Sequence, residues 1–101
     1  MFVYNISIKI DPAIEKEWVK WEREEHIPEA MSFGLFTEYK FYKLLEQDER
    51  EGITYILQYF VSTLAHYQQY LEKYAPVLRE KVFSKWGDKF VAFRTLMQVV
   101  N

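Results

Sequence analysis

The sequence predicts an α+β sandwich: one four-stranded antiparallel sheet with two helices packed on one face. Three observations carry this. Residues Phe2 to Ile10 alternate strictly, with Phe2, Tyr4, Ile6, Ile8 and Ile10 on one side, the pattern of a half-buried strand. Two further strand-like runs flank the polar stretch EQDEREG, which reads as a turn, and so form an antiparallel hairpin. Two stretches with apolar residues at helical spacing separate the strands, each interrupted by a proline.

Taken in order, Asp11-Pro12 ends the first strand, since Asp caps a helix and Pro fits the first helical position. Ile14, Trp18 and Trp21 then recur on one face, which predicts that both tryptophans anchor helix one to the sheet. Pro28 lacks an N–H and biases Ile27 away from helical angles, so a break is expected near His26-Ile27, with another turn through Met31. Leu35 to Leu45 reads as the second strand, Glu46 to Gly52 as the turn and Ile53 to Val61 as the third strand. Ser62 or Thr63 caps a second helix, whose apolar stripe is Tyr67, Tyr70, Leu71, Tyr74 and Leu78. Pro76 predicts a kink or two abutting helices before Trp86-Gly87, and Phe90 to Val100 is the last strand. There is no linker or repeat, so residues 1–101 are expected to form one domain. Connection rules for this order favour a ferredoxin-like βαββαβ sandwich.

The strand patterns also speak to association. The nearly all-apolar set (Phe2 to Ile10, Ile53 to Val61, and Val91, Phe93, Thr95, Met97 and Val99) is expected to face the helices. A mixed set is left for the other face: Val3, Asn5, Ser7, Lys9, Ile56, Gln58, Phe60, Phe90, Ala92, Arg94, Leu96 and Gln98. That face is too apolar for open solvent, so a second subunit is expected on it, with Ala92 and Leu96 in the interface.

Composition narrows the function classes. Half of the residues are hydrophobic and 19% aromatic, ample for a core. The formal net charge of -2 leaves no broad basic footprint for nucleic acid. The absence of Cys removes disulfides, thiolate catalysis and thiolate zinc sites. MFVYNISIKI lacks a basic n-region and reads as a strand, and no apolar run approaches the roughly 20 residues of a membrane span. A soluble cytoplasmic protein without nucleic-acid or membrane partners is the expectation.

The element order, with YNISIKID at the start, EHIPEAM at the end of helix one, YILQYF in the third strand and KFVAFRTLMQVV at the end, resembles the dimeric α+β barrel superfamily. Within it, the chain is similar to an uncharacterised bacterial family, a domain of unknown function. The resemblance implies a homodimer with a small cavity per subunit between sheet and helices. That superfamily includes cofactor-independent monooxygenases, isomerases, haem-degrading enzymes and plain ligand binders, and fold does not select among them.

His26 is one of two histidines and stands at the expected helix break. Imidazole serves as acid, base or metal ligand, so His26 is the candidate catalytic residue; the blander role is a helix-end residue bonded to a carbonyl. Glu24, Glu25 and Glu29 lie nearby, but a metal needs several converging ligands, and Glu22 to Glu25 read more simply as a solvated helix face; no metal is expected. His66, in the first turn of helix two, is expected exposed or capping. Arg94 sits mid-strand in FVAFRTL, either clamping an acidic ligand or pairing with Glu38 in an interface. Asn5, Trp21, Gln58 and Arg94 are the candidate ligand contacts. The tyrosine stripe reads as core. The third strand, ITYILQYF, lacks the Gly and basic residues of an RNA-recognition strand, and there is neither a Gly-rich phosphate loop nor a nucleophile elbow.

The leading expectation is a homodimeric small-molecule binder that needs no cofactor. A cofactor-independent monooxygenase- or isomerase-like enzyme using His26 as acid/base, acting on a planar aromatic or polyketide-like substrate, is the alternative. A purely structural dimer with a filled cavity is the third reading. An open pocket holding His26 and Arg94 favours the first two.

Overall fold

A computed structural model describes residues 1–101. The strands are β1 (Phe2–Ile10), β2 (Phe36–Lys43), β3 (Ile53–Val61) and β4 (Phe90–Gln98). They form one antiparallel sheet in the order β2-β3-β1-β4, the ferredoxin-like arrangement. Asp11 caps a short 3-10 turn at Pro12–Ile14 by accepting the Ala13 N–H, as its short side chain before Pro12 requires. Helix α1 (Glu15–Trp21) follows, and α2 (Ile27–Ser32) continues the same rod. Thr63 caps α3 (Leu64–Lys73) through the His66 N–H. Pro76 then starts α4 (Ala75–Trp86) afresh, so the second helical stretch is the expected abutting pair.

The core lies between the helices and one sheet face. Trp18 is 1% exposed and packs on Phe41 and Tyr55, at ring-centroid distances of 5.8 and 5.2 Å. Tyr4 fills the other half, ringed by Phe36, Tyr59, Tyr67 and Tyr70. The tyrosine stripe is core, as expected, with Tyr74 stacked on Phe33 at 3.9 Å.

Three expectations are corrected. The first helix does not break at His26-Ile27. Residues Glu22–His26 form a π-helical turn in which the Ile27 N–H reaches back to the Glu22 carbonyl, and both His26 and Ile27 keep helical angles. The wide turn absorbs the missing Pro28 N–H without ending the rod.

The second correction concerns β4. Its register sets Arg94 opposite Ile6, Ala92 opposite Ile8 and Leu96 opposite Tyr4. Arg94, Ala92 and Leu96 therefore share the helix-side face, while Val91, Phe93, Thr95 and Met97 share the open one. Both alternations of this edge strand are apolar enough to be read inward, so hydrophobicity alone selects the wrong parity. Glu38 lies opposite Phe60 on the open face of the far edge strand and cannot pair with Arg94 in the same protomer.

Third, Trp21 does not anchor the helix to the sheet. It is half-buried, stacks on His26 and meets Trp86 of α4 edge-on.

A polar cluster fastens α1 to the hairpin. Tyr55 donates its hydroxyl to Glu15 Oε2 at 2.7 Å, and Lys43 Nζ sits 2.9 Å from the same oxygen. The Tyr55 hydrogen bond, then the Lys43 one, lowers the Glu15 carboxyl below its ordinary value. Burial, reinforced by Glu15, pushes the Tyr55 hydroxyl up to about 12 from 10.0. A phenol whose folded value exceeds the unfolded one stabilises the fold below pH 10.0 and loses that contribution as pH rises towards about 12. Denaturant titrations across this window should show wild-type stability falling more steeply than that of Tyr55→Phe, and equal slopes would refute the coupling.

Candidate functional site

The π turn builds the site. Glu22 and His26 stand four residues apart on the side of the rod that faces the sheet, and His26 Nδ1 lies 2.8 Å from Glu22 Oε2. The side chains are 2% exposed for Glu22 and 12% for His26. Glu22 is the one charged residue fully inside the protein, against the expectation that Glu22 to Glu25 form a solvated face. Its neighbours Arg23, Glu24 and Glu25 are exposed, as that expectation holds. A buried carboxylate needs a polar partner, and the imidazole supplies it. A carboxylate only accepts, so Nδ1 is the donor in this contact and Nε2 is the ring nitrogen it leaves without a partner. Trp21 stacks on the other side of the ring at 4.9 Å and 14°. The imidazole is thus held at an edge and on a face.

A cavity of about 40 Å³ opens beside this pair. Glu22 and His26 line it from the helix, Ile6, Ile8 and Leu57 from the sheet floor, Val82 from α4, and Ala92 and Arg94 from β4. Its walls are mostly apolar, with three charged or titratable groups converging. Tyr59 lies buried nearby; burial first, and then the negative charge of Glu22, pushes its hydroxyl far up, so it stays protonated. Arg94 is exposed at the mouth.

The structure therefore brings together His26, Arg94 and, behind the imidazole, Trp21. It does not bring Asn5 and Gln58 to them. Those two pair with each other on the open sheet face, where Gln58 Nε2 donates to Asn5 Oδ1 at 3.1 Å between directly opposed residues. His66 is exposed, with Nδ1 3.4 Å from Ser62 Oγ, remote from the cavity residues. Glu22 was missed by sequence reasoning. The signal was its four-residue spacing from both Trp18 and His26, which puts an acid on the buried stripe. No group of three or more His, Asp or Glu side chains converges as metal ligands.

The sequence model of a family described as Domain of unknown function (DUF4286) matches residues 1–100. The chain belongs to this family. DUF4286 here carries a ferredoxin-like fold, and its solved neighbours agree. A dimeric ferredoxin-like protein from an uncultured marine organism is 11% identical, with 99% of this chain and 95% of that one covered at a TM-score of 0.70. An MhuD variant with two manganese protoporphyrin IX molecules per active site is 14% identical, with 100% and 96% covered at a TM-score of 0.71. A hydroxynitrile lyase from Passiflora edulis is 15% identical, with 99% and 96% covered at a TM-score of 0.62. At these identities the likeness is one of fold. No curated protein matches the DUF4286 chain.

Proposed function

We propose that this protein is a homodimer that binds a small organic molecule in the helix-side cleft and exchanges a proton with it through His26. The observation that carries the reading is the buried Glu22–His26 pair opening on a cavity that Arg94 also lines. A carboxylate behind one ring nitrogen fixes the tautomer and presents the other as a base, and it stabilises the imidazolium that forms. Trp21 keeps the ring from swinging out.

The size of the cavity limits the ligand. About 40 Å³ holds a water or two, whereas pockets that enclose a drug-sized ligand run to about 300–1,000 Å³. Only a reacting tip enters; the rest of the molecule lies along the cleft at the exposed Arg94. A porphyrin, as bound by the MhuD variant, does not fit. The same pair also supports the enzymatic reading, a cofactor-independent lyase, isomerase or oxygenase step that begins with proton removal by His26.

The homodimer is supported by the open sheet face. Tyr42, Val91, Phe93 and Met97 are 47%, 54%, 67% and 40% exposed there, flanking the Asn5–Gln58 pair. A mixed face with this much exposed apolar surface calls for a cover, and one solved neighbour is a dimeric ferredoxin-like protein.

Long-range proton–nitrogen NMR should find neutral His26 protonated at Nδ1, and Glu22→Gln should disturb that tautomer. A thermal-shift screen of planar aromatic and polyketide-like compounds should give stabilising hits that His26→Ala loses while keeping the wild-type fold. An Nε2–H tautomer, or hits that stabilise His26→Ala equally, would overturn the role.

A further inference from the structure

We infer that the cleft is built for an organic oxyanion, an apolar molecule carrying a carboxylate, and that Arg79 of α4 is the second half of its anchor, facing Arg94 of β4. The inference rests on the small-molecule reading above and names the ligand class.

Arg79 and Val82 are three residues apart on α4 and so share a face. Val82 lines the cavity that Arg94 lines from the strand. Arg79 Nη2 donates to the Tyr4 hydroxyl at 3.1 Å. Tyr4 is 1% exposed and packed among other rings, so this bond holds one end of an exposed guanidinium against a rigid wall. Leu96 lies opposite Tyr4 and Arg94 opposite Ile6, the next residue of β1 on the same face, so Arg94 and the Tyr4-bound Arg79 reach the same end of the cleft from different elements.

Neither pairs with a carboxylate within 4.0 Å; the ion pairs of this chain involve His26, Lys43, Arg50 and Lys81. The chain has 15 acidic residues against 13 basic ones, so partners are not scarce. Two unpaired arginines above an apolar floor match a ligand with one anionic end: the planar forks take the oxyanion and Val82, Ala92 and the half-exposed Tyr67 take the body. Leu96, 40% exposed on the same face of β4, extends that apolar wall outwards. Held there, the carbon skeleton reaches the cavity in which Nε2 of His26 stands.

The test uses naphthoate as probe, its neutral amide naphthamide as isostere and inorganic phosphate as the bare anion, each titrated into the intact protein and followed by amide NMR shifts. Naphthoate should shift residues around Arg79, Tyr67, Val82 and Arg94. Naphthamide, Arg79→Gln and Arg94→Gln should each weaken binding about tenfold or more, with Lys at either position restoring part of it. Phosphate that binds as well as naphthoate would show an anion site without an apolar subsite and overturn the ligand class. So would naphthamide binding like naphthoate, unchanged affinity in both Gln variants, or shifts confined to the open sheet face. If naphthoate binds as expected while the tautomer test on wild-type His26 fails, the proton role falls and the anion anchor stands; if the Arg79→Gln and Arg94→Gln variants are silent while that tautomer is found, the reverse holds.

Discussion

Trp18→Ala should cost about 3–5 kcal/mol of folding stability. The indole is 1% exposed and packs on the stacked pair Phe41 and Tyr55, so its removal leaves a cavity in the core. Small domains hold only about 5–15 kcal/mol in total, so this single truncation brings the chain close to unfolding. Trp21→Ala, in contrast, removes a half-buried ring lying between His26 and Trp86 and should cost about 1–2 kcal/mol. Urea denaturation at one fixed protein concentration measures both, since association shifts apparent stability. Equal losses for the two would mean that Trp18 is not the hub of the core.

Phe93→Asp should turn the proposed homodimer into a monomer at micromolar concentration. Phe93 is 67% exposed in the protomer, on the open sheet face, and a carboxylate there would be buried without a partner on association. Leu96→Asp is the matched control: the same strand, three residues on, but the opposite face. It should leave the dimer intact. Light scattering of the two variants against wild type separates the cases. A monomeric wild type, or a Phe93→Asp protein that remains dimeric, would remove the sheet face as the interface.

The contrast between Phe93 and Leu96 also marks where the sequence stopped being readable. β3 could be read to the residue, because it is central, buried on one side, and alternates cleanly from Ile53 to Val61. The cap at Ser62 or Thr63 and the kink or restart at Pro76 were legible as places, since their chemistry is local, and the structure selects Thr63 and the restart. β4 is an edge strand with apolar residues at both parities, and only its pairing with β1 fixes that Arg94 sits across from Ile6. That parity decides the site: it moves Arg94 in beside His26 and leaves Asn5 and Gln58 on the far face. The pairing is non-local, so no window of sequence contains it. Glu22 was hidden differently. A glutamate amid Glu24 and Glu25 reads as surface, and only the imidazole one turn on compensates its burial.

The wide turn at Glu22–His26 has a consequence for how this chain tolerates change. It holds one more residue than an α-helical turn would, so the rod before it and the rod after it are out of phase by about 100°. Trp18 and Glu22 look inward before the slip, Ile27 and Ala30 after it. Arg23, Glu24 and Glu25, on the outside, are free to take almost any polar identity. Their number is not free. Removing one residue would set Ile27 and Ala30 four and seven places after Glu22, still on the inward stripe of an ordinary α-helix that begins with Trp18. The change would fall instead on the spacing of Glu22 and His26, cut from four residues to three, so the extra residue serves the buried pair and not the packing of the core.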